Sequence, residues 1–227
     1  MTMLLAAPAL LLIAVVFGWP MLRYAWLSFH ADSVLTGLEP VANGGANWLR
    51  LAADQRFWLD AGQTARFALI SVSLELLLAL AIALLLHQRW RGRGAVRALT
   101  LLPWALPTTM MALGWRWIFN TPYGPIEVLA RSLGLGSLDL LSTPSITWLV
   151  TVFADVWKTT PFITLILLAG LQSIPDDLYG AFRLEGGTPL QALRWVTLPL
   201  LLPYILLSLL FRLAQAFGVF DLSLIHI

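Results

Sequence analysis

Long apolar stretches dominate this sequence, and each is about as long as a membrane is thick. Five such stretches alternate with polar connections, at residues 3–29, 64–87, 97–119, 145–171 and 198–220. A helix needs about 20 mainly apolar residues to cross the hydrocarbon core of a bilayer. The sequence therefore predicts an all-α polytopic membrane protein in which residues 1–222 form a single transmembrane domain.

The composition excludes most soluble classes. Hydrophobic residues make up 59% of the 227 residues and charged residues 11%, whereas soluble domains carry about 25% charged residues. The chain has too few charged residues to cover a water-soluble globule, so we expect it to be embedded in membrane lipid. The net charge of +2 gives no reason to expect nucleic acid. No metal site is predicted, because the chain has no cysteine and its three histidines lie in three separate regions.

The first apolar stretch has an alternative interpretation as a secretory signal peptide. Such a peptide has a basic start and is followed by a small-residue cleavage site. Met3–Leu22 is uncharged, no basic segment precedes it, and no such site follows Arg23. The sequence favours a retained span, and the absent basic leader leads us to expect a clipped N-terminus.

The charges between the spans predict an orientation. Four arginines and no acid lie in the connection His87–Gly94 and just beyond it at Arg97. By the positive-inside rule this connection faces the cytoplasm. A nucleic-acid or headgroup patch is the alternative, but topology alone explains the charge. An inner N-terminus then places the polar segment 172–197 in the cytoplasm as well.

That polar segment, 172–197, carries the signals of two helices joined by a turn. Asp176-Asp177 suit the positive end of a helix macrodipole, and Gly186 ends that helix because glycine readily turns left-handed. Thr188-Pro189-Leu190-Gln191 has the form of a capping box with proline in the first turn. The sequence predicts a helix–Gly–helix elbow at the membrane surface, and its second helix runs into the apolar stretch near Leu198.

This elbow resembles the cytoplasmic EAA loop of the permease subunits of binding-protein-dependent ABC importers. The family motif reads Glu-Ala-Ala, three residues, Gly, nine residues, an aliphatic residue, any residue and Leu-Pro. The matching positions at that spacing are Ala181, Gly186, Val196 and Leu198-Pro199. Gly180 and Phe182 depart from the usual Glu and second Ala, and Glu185 takes an acidic place before the glycine. A patterned match of this length is far more specific than a lone glycine motif.

The resemblance extends over nearly the whole chain. The segments that are similar to the carbohydrate branch of these permeases, the maltose and trehalose type, are Leu102–Pro107, Gly114–Phe119, Trp157–Phe162, Leu171–Pro175 and Ala216–Leu222. Members of this branch usually have six spans. Because Ser223–Ile227 match nothing expected there, we expect an atypical tail and a truncated or misjoined end that lacks the final span.

The resemblance implies a function and a set of partners. It implies a subunit of an ATP-driven importer that carries a sugar or oligosaccharide across the bacterial or archaeal inner membrane. The implied partners are an ABC ATPase dimer, a second permease and an extracytoplasmic solute-binding protein. The chain carries no cofactor of its own, because its sole lysine, Lys158, does not stand in a phosphate-binding Walker loop. ATP would be bound by the partner.

Two alternatives to sugar import stay open at this stage. Glycerol phosphate is the nearest alternative solute within the same branch. A polytopic membrane enzyme is the alternative class, but an enzyme needs convergent His, Asp or Glu groups, and no obvious set is present in the sequence.

The first candidate site is the ATPase-coupling surface that the resemblance implies. Leu178, Ala181 and Phe182 share one face of the predicted docking helix Leu178–Glu185, at i, i+3 and i+4 spacing. The complete set of coupling residues is Leu178, Ala181, Phe182, Glu185, Gly186, Leu198 and Pro199. The alternative is that this helix merely caps the bundle at the membrane surface.

The second candidate site consists of ionisable residues at membrane depth. Glu75, Asp155, Lys158 and Arg212 lie within predicted spans, where charged residues usually face the bundle or a cavity. Asp155 can pair with Lys158 along one helix, and Glu75 with Arg212 between helices. A lining for a hydroxyl-rich solute and structural ion pairs both explain them. Aromatic residues that can stack on a sugar or simply pack are Trp148, Trp157 and Phe162.

Overall fold

The computed structural model describes residues 2–31 and 39–218, with side chains from residue 6 onward. The described residues are mostly helical, and the chain divides into two compact units, Met1–Gly62 and Gln63–Ile227. The predicted tail, 223–227, and the end of the last predicted span lie outside the described residues.

The first unit begins with an apolar helix and contains a short amphipathic one before the start of a long helix. Its elements are α1 (Thr2–Ile13), a π-helical stretch (Ala14–Gly18), α2 (Trp19–Leu27), strands β1 (His30–Ala31) and β2 (Val41–Ala42), and α3 (Ala46–Ala53). The strands pair antiparallel, with His30 opposite Ala42. Asn47 fixes α3 beside them, because its Nδ2 donates to the carbonyls of Ser28 (3.1 Å) and His30 (2.9 Å).

The second unit contains the long helices. Its elements, beginning with a helix that crosses the boundary between the units, are α4 (Gln55–His87), α5 (Arg93–Ala105), α6 (Thr108–Phe119), α7 (Pro125–Ser132), a 3₁₀ turn (Leu140–Ser142), α8 (Pro144–Ser173), α9 (Asp176–Leu184), α10 (Pro189–Ala192), a π-helical stretch (Leu193–Thr197) and α11 (Leu198–Phe217).

Four described helices are long and apolar enough to cross a membrane, namely Ala6–Leu27, Gln55–His87, Pro144–Ser173 and Pro189–Phe217. The predicted all-α polytopic fold is thus confirmed. The second helix starts earlier than the predicted span 64–87, because Asp54 Oδ1 accepts the N–H groups of Arg56 (2.9 Å) and Phe57 (3.2 Å) and caps its start.

The third predicted span, 97–119, is not one straight helix. Helices α5 and α6 meet at an angle of 92°. Leu106 between them is extended, with φ −73° and ψ 137°. Pro103 and Pro107 lack the N–H groups that would continue a helix through this point, so the chain breaks here.

Helix α8 lies at the centre of the second unit and packs against α5, α6 and α11. Its buried threonines need no outside partner, because each hydroxyl donates to the carbonyl four residues earlier, as for Thr151 (2.8 Å), Thr160 (2.6 Å) and Thr164 (2.9 Å). Gly170 lets α11 approach closely, since a Cβ there would lie 2.6 Å from the Tyr204 ring. Small residues commonly make such membrane helix contacts.

Candidate functional site

The predicted elbow is present, and a glycine forms its turn. Gly186 has φ +81°, a left-handed conformation that favours glycine. The Gly186 N–H donates to the Arg183 carbonyl (3.0 Å) and the Gly187 N–H to the Phe182 carbonyl (3.0 Å). This pair of bonds satisfies the open carbonyls at the end of α9, as the sequence predicts.

The second arm of the elbow starts with the predicted capping box. The Thr188 N–H donates to Gln191 Oε1 (2.8 Å), and the Gln191 N–H donates to Thr188 Oγ1 (3.4 Å). From there the helix continues without interruption from Pro189 to Phe217 over 29 residues. The elbow is therefore directly joined to a span.

The π-helical stretch within this continuous helix has a local cause. Pro199 lacks the N–H that an α-helix requires, and the Leu198 N–H donates to the Leu193 carbonyl five residues back. The other π-helical stretch, Ala14–Gly18, likewise ends two residues before a proline, Pro20. Leu198 and Pro199 thus stand where the elbow becomes the span.

The outward face of α9 is apolar, although it differs from the predicted set. Leu178 is 43% exposed and Leu184 is 91% exposed, and Ala181 lies exposed between them. Phe182 points the other way, because its ring fills the space beside Gly187, where a Cβ would come within 2.1 Å of the ring. Leu184 was missed by sequence reasoning, although it lies three residues after Ala181.

The elbow and the arginine connection lie at the same end of the second unit. Arg89 Nη2 lies 4.0 Å from Asp176 Oδ2, an exposed pair that contributes little stability by itself. A cavity of about 460 Å³ separates the two segments and is lined by His87, Arg89, Arg93, Gln172, Ile174, Pro175 and Asp176.

A buried ionic cluster joins three spans. Arg212 on α11 donates through Nε and Nη2 to the two oxygens of Glu75 on α4 (2.5 and 2.7 Å), and Nη2 also donates to Asp155 Oδ2 on α8 (2.8 Å). The three residues are 1%, 0% and 3% exposed respectively. The predicted pairing of Glu75 with Arg212 is present in this bidentate form, the strongest geometry for such a pair.

The pairing predicted along α8 takes a different form. Asp155 binds Arg212 across the bundle, and Lys158 Nζ donates to the Leu106 carbonyl (2.6 Å) at the break between α5 and α6. Both groups thus join α8 to another helix. Sequence spacing did not predict this, because both partners lie more than 50 residues away (57 for Arg212 and 52 for Leu106).

Aromatic residues of α8 pack against side chains of several neighbouring helices. Phe162, one turn after Lys158, stacks on Trp104 of α5 with centroids 6.0 Å apart and meets Phe211 of α11 edge-on at 6.1 Å. Trp157 is partly exposed and meets Trp115 edge-on at 5.5 Å. The third predicted aromatic, Trp148, lies under the guanidinium of Arg66 at 4.8 Å.

A carboxylate that sequence reasoning did not single out organises the loop after α7. Glu127 is buried and accepts hydrogen bonds from Arg131 Nε (2.9 Å) and the Leu138 N–H (3.0 Å). Hydrogen bonding from the Ser137 side chain, helped by the Leu138 N–H and by Arg131, lowers the pKa of Glu127 below its ordinary value.

Membrane-length helices, an ionic cluster between them and a polar elbow continuous with a span together define a polytopic membrane component. The chain belongs to the family of binding-protein-dependent transport system inner membrane components, whose family model matches residues 75–225. It is therefore a permease subunit of the inner membrane, and the alternative of a membrane enzyme is wrong.

Individual relatives agree with this family. The chain is 40% identical to the trehalose/maltose transport system permease protein MalF of Thermococcus litoralis, over 96% of this chain and 74% of the relative. It is 34% identical to the trehalose transport system permease protein SugA of Mycobacterium tuberculosis, over 96% of this chain and 70% of the relative. The predicted resemblance to sugar importer permeases is confirmed.

A solved structure shares the fold. A chain of a bacterial ABC transporter involved in the import of the acidic polysaccharide alginate superimposes with a TM-score of 0.79, over 96% of this chain and 73% of that one. The sequences are 21% identical, so this likeness concerns the fold alone.

Proposed function

We propose that this permease subunit carries a sugar or oligosaccharide into the cytoplasm. The observation that carries the proposal is the 40% identity, over 96% of the chain, to a permease named for trehalose and maltose transport. The proposed partners are an ABC ATPase dimer, a second permease and an extracytoplasmic solute-binding protein. ATP is bound and hydrolysed by the ATPase.

The elbow is the proposed contact for the ATPase. Its first helix offers an exposed apolar face at Leu178, Ala181 and Leu184, and apolar helix faces commonly seat in a partner's groove. Its second helix is continuous with α11, so a movement imposed on the elbow is passed to a span as a rigid-body motion.

The cytoplasmic side is the proposed location of the elbow. Arg89 and Arg93 line the same cavity as the elbow residue Asp176, so the arginine-rich connection and the elbow face the same compartment. Basic connections are retained on the cytoplasmic side. An ATPase in the cytoplasm can reach the elbow from there.

The solute pathway is proposed to pass along α8. Asp155, Lys158 and Phe162 occupy successive turns of this helix, with Glu75 and Arg212 beside Asp155. Ligand sites commonly combine aromatic walls with a few placed polar groups. A sugar presents apolar ring faces to the aromatic residues, and its hydroxyls reach the charged cluster, which is at most 3% exposed, only in a conformation that opens the cluster.

The coupling proposal is tested by Gly186→Pro combined with Ala181→Asp. Proline cannot adopt the φ of +81° at position 186, and a charge at 181 interrupts the apolar face. We expect the ATPase to be lost when the complex is purified and uptake to cease. Gly180→Ala is the control, because a Cβ there has nothing within 4 Å. Retained association and uptake in the double variant would make the elbow assignment wrong.

The pathway proposal is tested by Asp155→Asn in transporters reconstituted with labelled trehalose, maltose or glycerol phosphate. We expect solute-stimulated ATP hydrolysis to fall or the order of preference among the solutes to change. Unchanged stimulation and preference would restrict Asp155 to a structural role. Uptake of glycerol phosphate in preference to both sugars would replace the proposed solute class.

A further inference from the structure

The break between α5 and α6 leaves a backbone carbonyl outside both helices. The last bond of α5 runs from the Leu106 N–H to the Pro103 carbonyl (3.4 Å), and the first of α6 from the Met111 N–H to the Pro107 carbonyl (3.0 Å). The Leu106 carbonyl lies between them. Inside a membrane, irregular backbone is tolerated where neighbouring protein or a water-filled cavity satisfies it.

Lys158 supplies the donor for this carbonyl. Its Nζ lies 2.6 Å from the Leu106 oxygen, and a charged donor makes roughly twice as strong a bond as a neutral one. The ammonium also lies at the C-terminal end of α5, where the helix dipole favours a cation. In a continuous helix the Leu106 carbonyl would accept from the Met110 N–H, and the Lys158 ammonium takes the place of that donor.

A second contact holds the break one turn further along α8. Trp104, two residues before Leu106, stacks on Phe162, and Phe162 meets Phe211 of α11 edge-on. Phe211 is adjacent to Arg212 of the ionic cluster. Helix α8 therefore contacts the end of α5 at two successive turns. The second of these contacts also involves α11, the helix that continues from the elbow.

We propose that Lys158 is the positioning residue that fixes the angle between α5 and α6, and that transport requires this angle to be held. Without the ammonium the Leu106 carbonyl must find water or another donor. The bend then loses the polar one of its two contacts with α8, and α6 pivots more widely about Leu106-Pro107.

The test measures the angle directly. The chain has no cysteine, so nitroxide labels on L99C in α5 and L113C in α6, both exposed positions, report their separation by electron–electron double resonance in the assembled transporter with cysteine-free partner subunits. The parent should give one narrow distance. K158M should broaden it about twofold and lower the maximal rate of solute uptake by about tenfold, with little change in KM.

Two variants make this result specific. K158R keeps a charged donor and should restore the narrow distance and at least part of the maximal rate. R66M removes a cation from α4 that lies over Trp148 rather than at the break, and its distance should match the parent. The distance is independent of the solute, so a wrong sugar assignment leaves this test intact. An unchanged distance in K158M, or a change in KM alone, overturns the proposal.

Discussion

The two sharp bends in the second unit are built in opposite ways. At the elbow, the backbone and capping bonds of the turn join residues within Phe182–Gln191, at separations of at most five residues, and a hydrogen bond between Tyr179 Oη and Thr197 Oγ1 (3.0 Å) joins the two arms of the same segment. At the break before Pro107, the carbonyl of Leu106 is satisfied by a side chain 52 residues away. The elbow is thus a local structure, whereas the break depends on the packing of α8.

The residues at the two bends reflect this difference. Gly186 is needed because its backbone has a positive φ, and the neighbouring caps satisfy the helix ends in place. At the other bend, Pro107 disfavours the helical conformation for Leu106, and the carbonyl of Leu106 that this leaves open accepts a hydrogen bond from another helix. Substitutions at the elbow should therefore disturb one turn, whereas loss of a tertiary contact should disturb the bundle.

Arg212→Met should have the largest effect on stability and would show how strongly the bundle depends on distant partners. It leaves Glu75 and Asp155 buried without their guanidinium, and breaking a buried pair in this way costs about 3–5 kcal/mol. Thermal unfolding of the purified chain in detergent measures the loss. The triple variant with Glu75→Gln and Asp155→Asn should recover much of it, and equal losses in both variants would contradict the electrostatic explanation.

Gly187→Ala should have an intermediate effect on stability. It tests whether the shape of the elbow depends only on contacts between its own residues. The added Cβ would lie 2.1 Å from the Phe182 ring, and overpacking of this kind typically costs about 1–3 kcal/mol. Limited proteolysis at the elbow measures the change. Adding Phe182→Ala should restore part of the resistance, because it removes the clash with the ring but leaves the new Cβ 2.8 Å from the Phe182 carbonyl oxygen. A double variant as susceptible as the single one would show that the constraint on Gly187 is not local.

Thr188→Ala should have a smaller effect that is confined to the second arm. It removes the acceptor for the Gln191 N–H, and losing such an N-cap costs about 1 kcal/mol. Hydrogen exchange of the amides in α10 should accelerate while the amides of α8 are unaffected. Acceleration in both helices would mean that the elbow is not independent of the bundle.

Glu127→Gln should have the smallest effect and depends on pH. Because hydrogen bonds lower the pKa of Glu127 below its ordinary value of 4.5, the carboxylate stabilises the folded loop above pH 4.5, and this contribution is lost as the pH falls through the lowered pKa. The protection factor of the Leu138 amide in the parent, which corrects for the intrinsic pH dependence of exchange, should therefore fall on acidification. Glutamine at 127 should remove this pH dependence, and a variant that kept it would exclude Glu127 as its source.

The same contrast explains which features could be predicted from the sequence. The elbow, its capping box and its continuation into a span depend on residues that are close in the sequence, so all three could be predicted from it. Glu75 and Arg212 were paired correctly because isolated charges in spans have few possible partners. The partners of Asp155 and Lys158 and the 92° angle of the bend at Leu106 could not be predicted, because each depends on which helices pack together. The inward ring of Phe182 depends instead on how the turn at Gly186 folds back on α9.

The uninterrupted helix from Pro189 to Phe217 makes the elbow one end of a long lever. Arg212 lies about 35 Å from Pro189 at 1.5 Å per residue. A tilt of about 5° at the membrane surface would displace the guanidinium by about 3 Å, as much as the length of a hydrogen bond. Either α4 and α8 must then move together with α11, or the hydrogen bonds from Arg212 to the carboxylates of Glu75 and Asp155 must break.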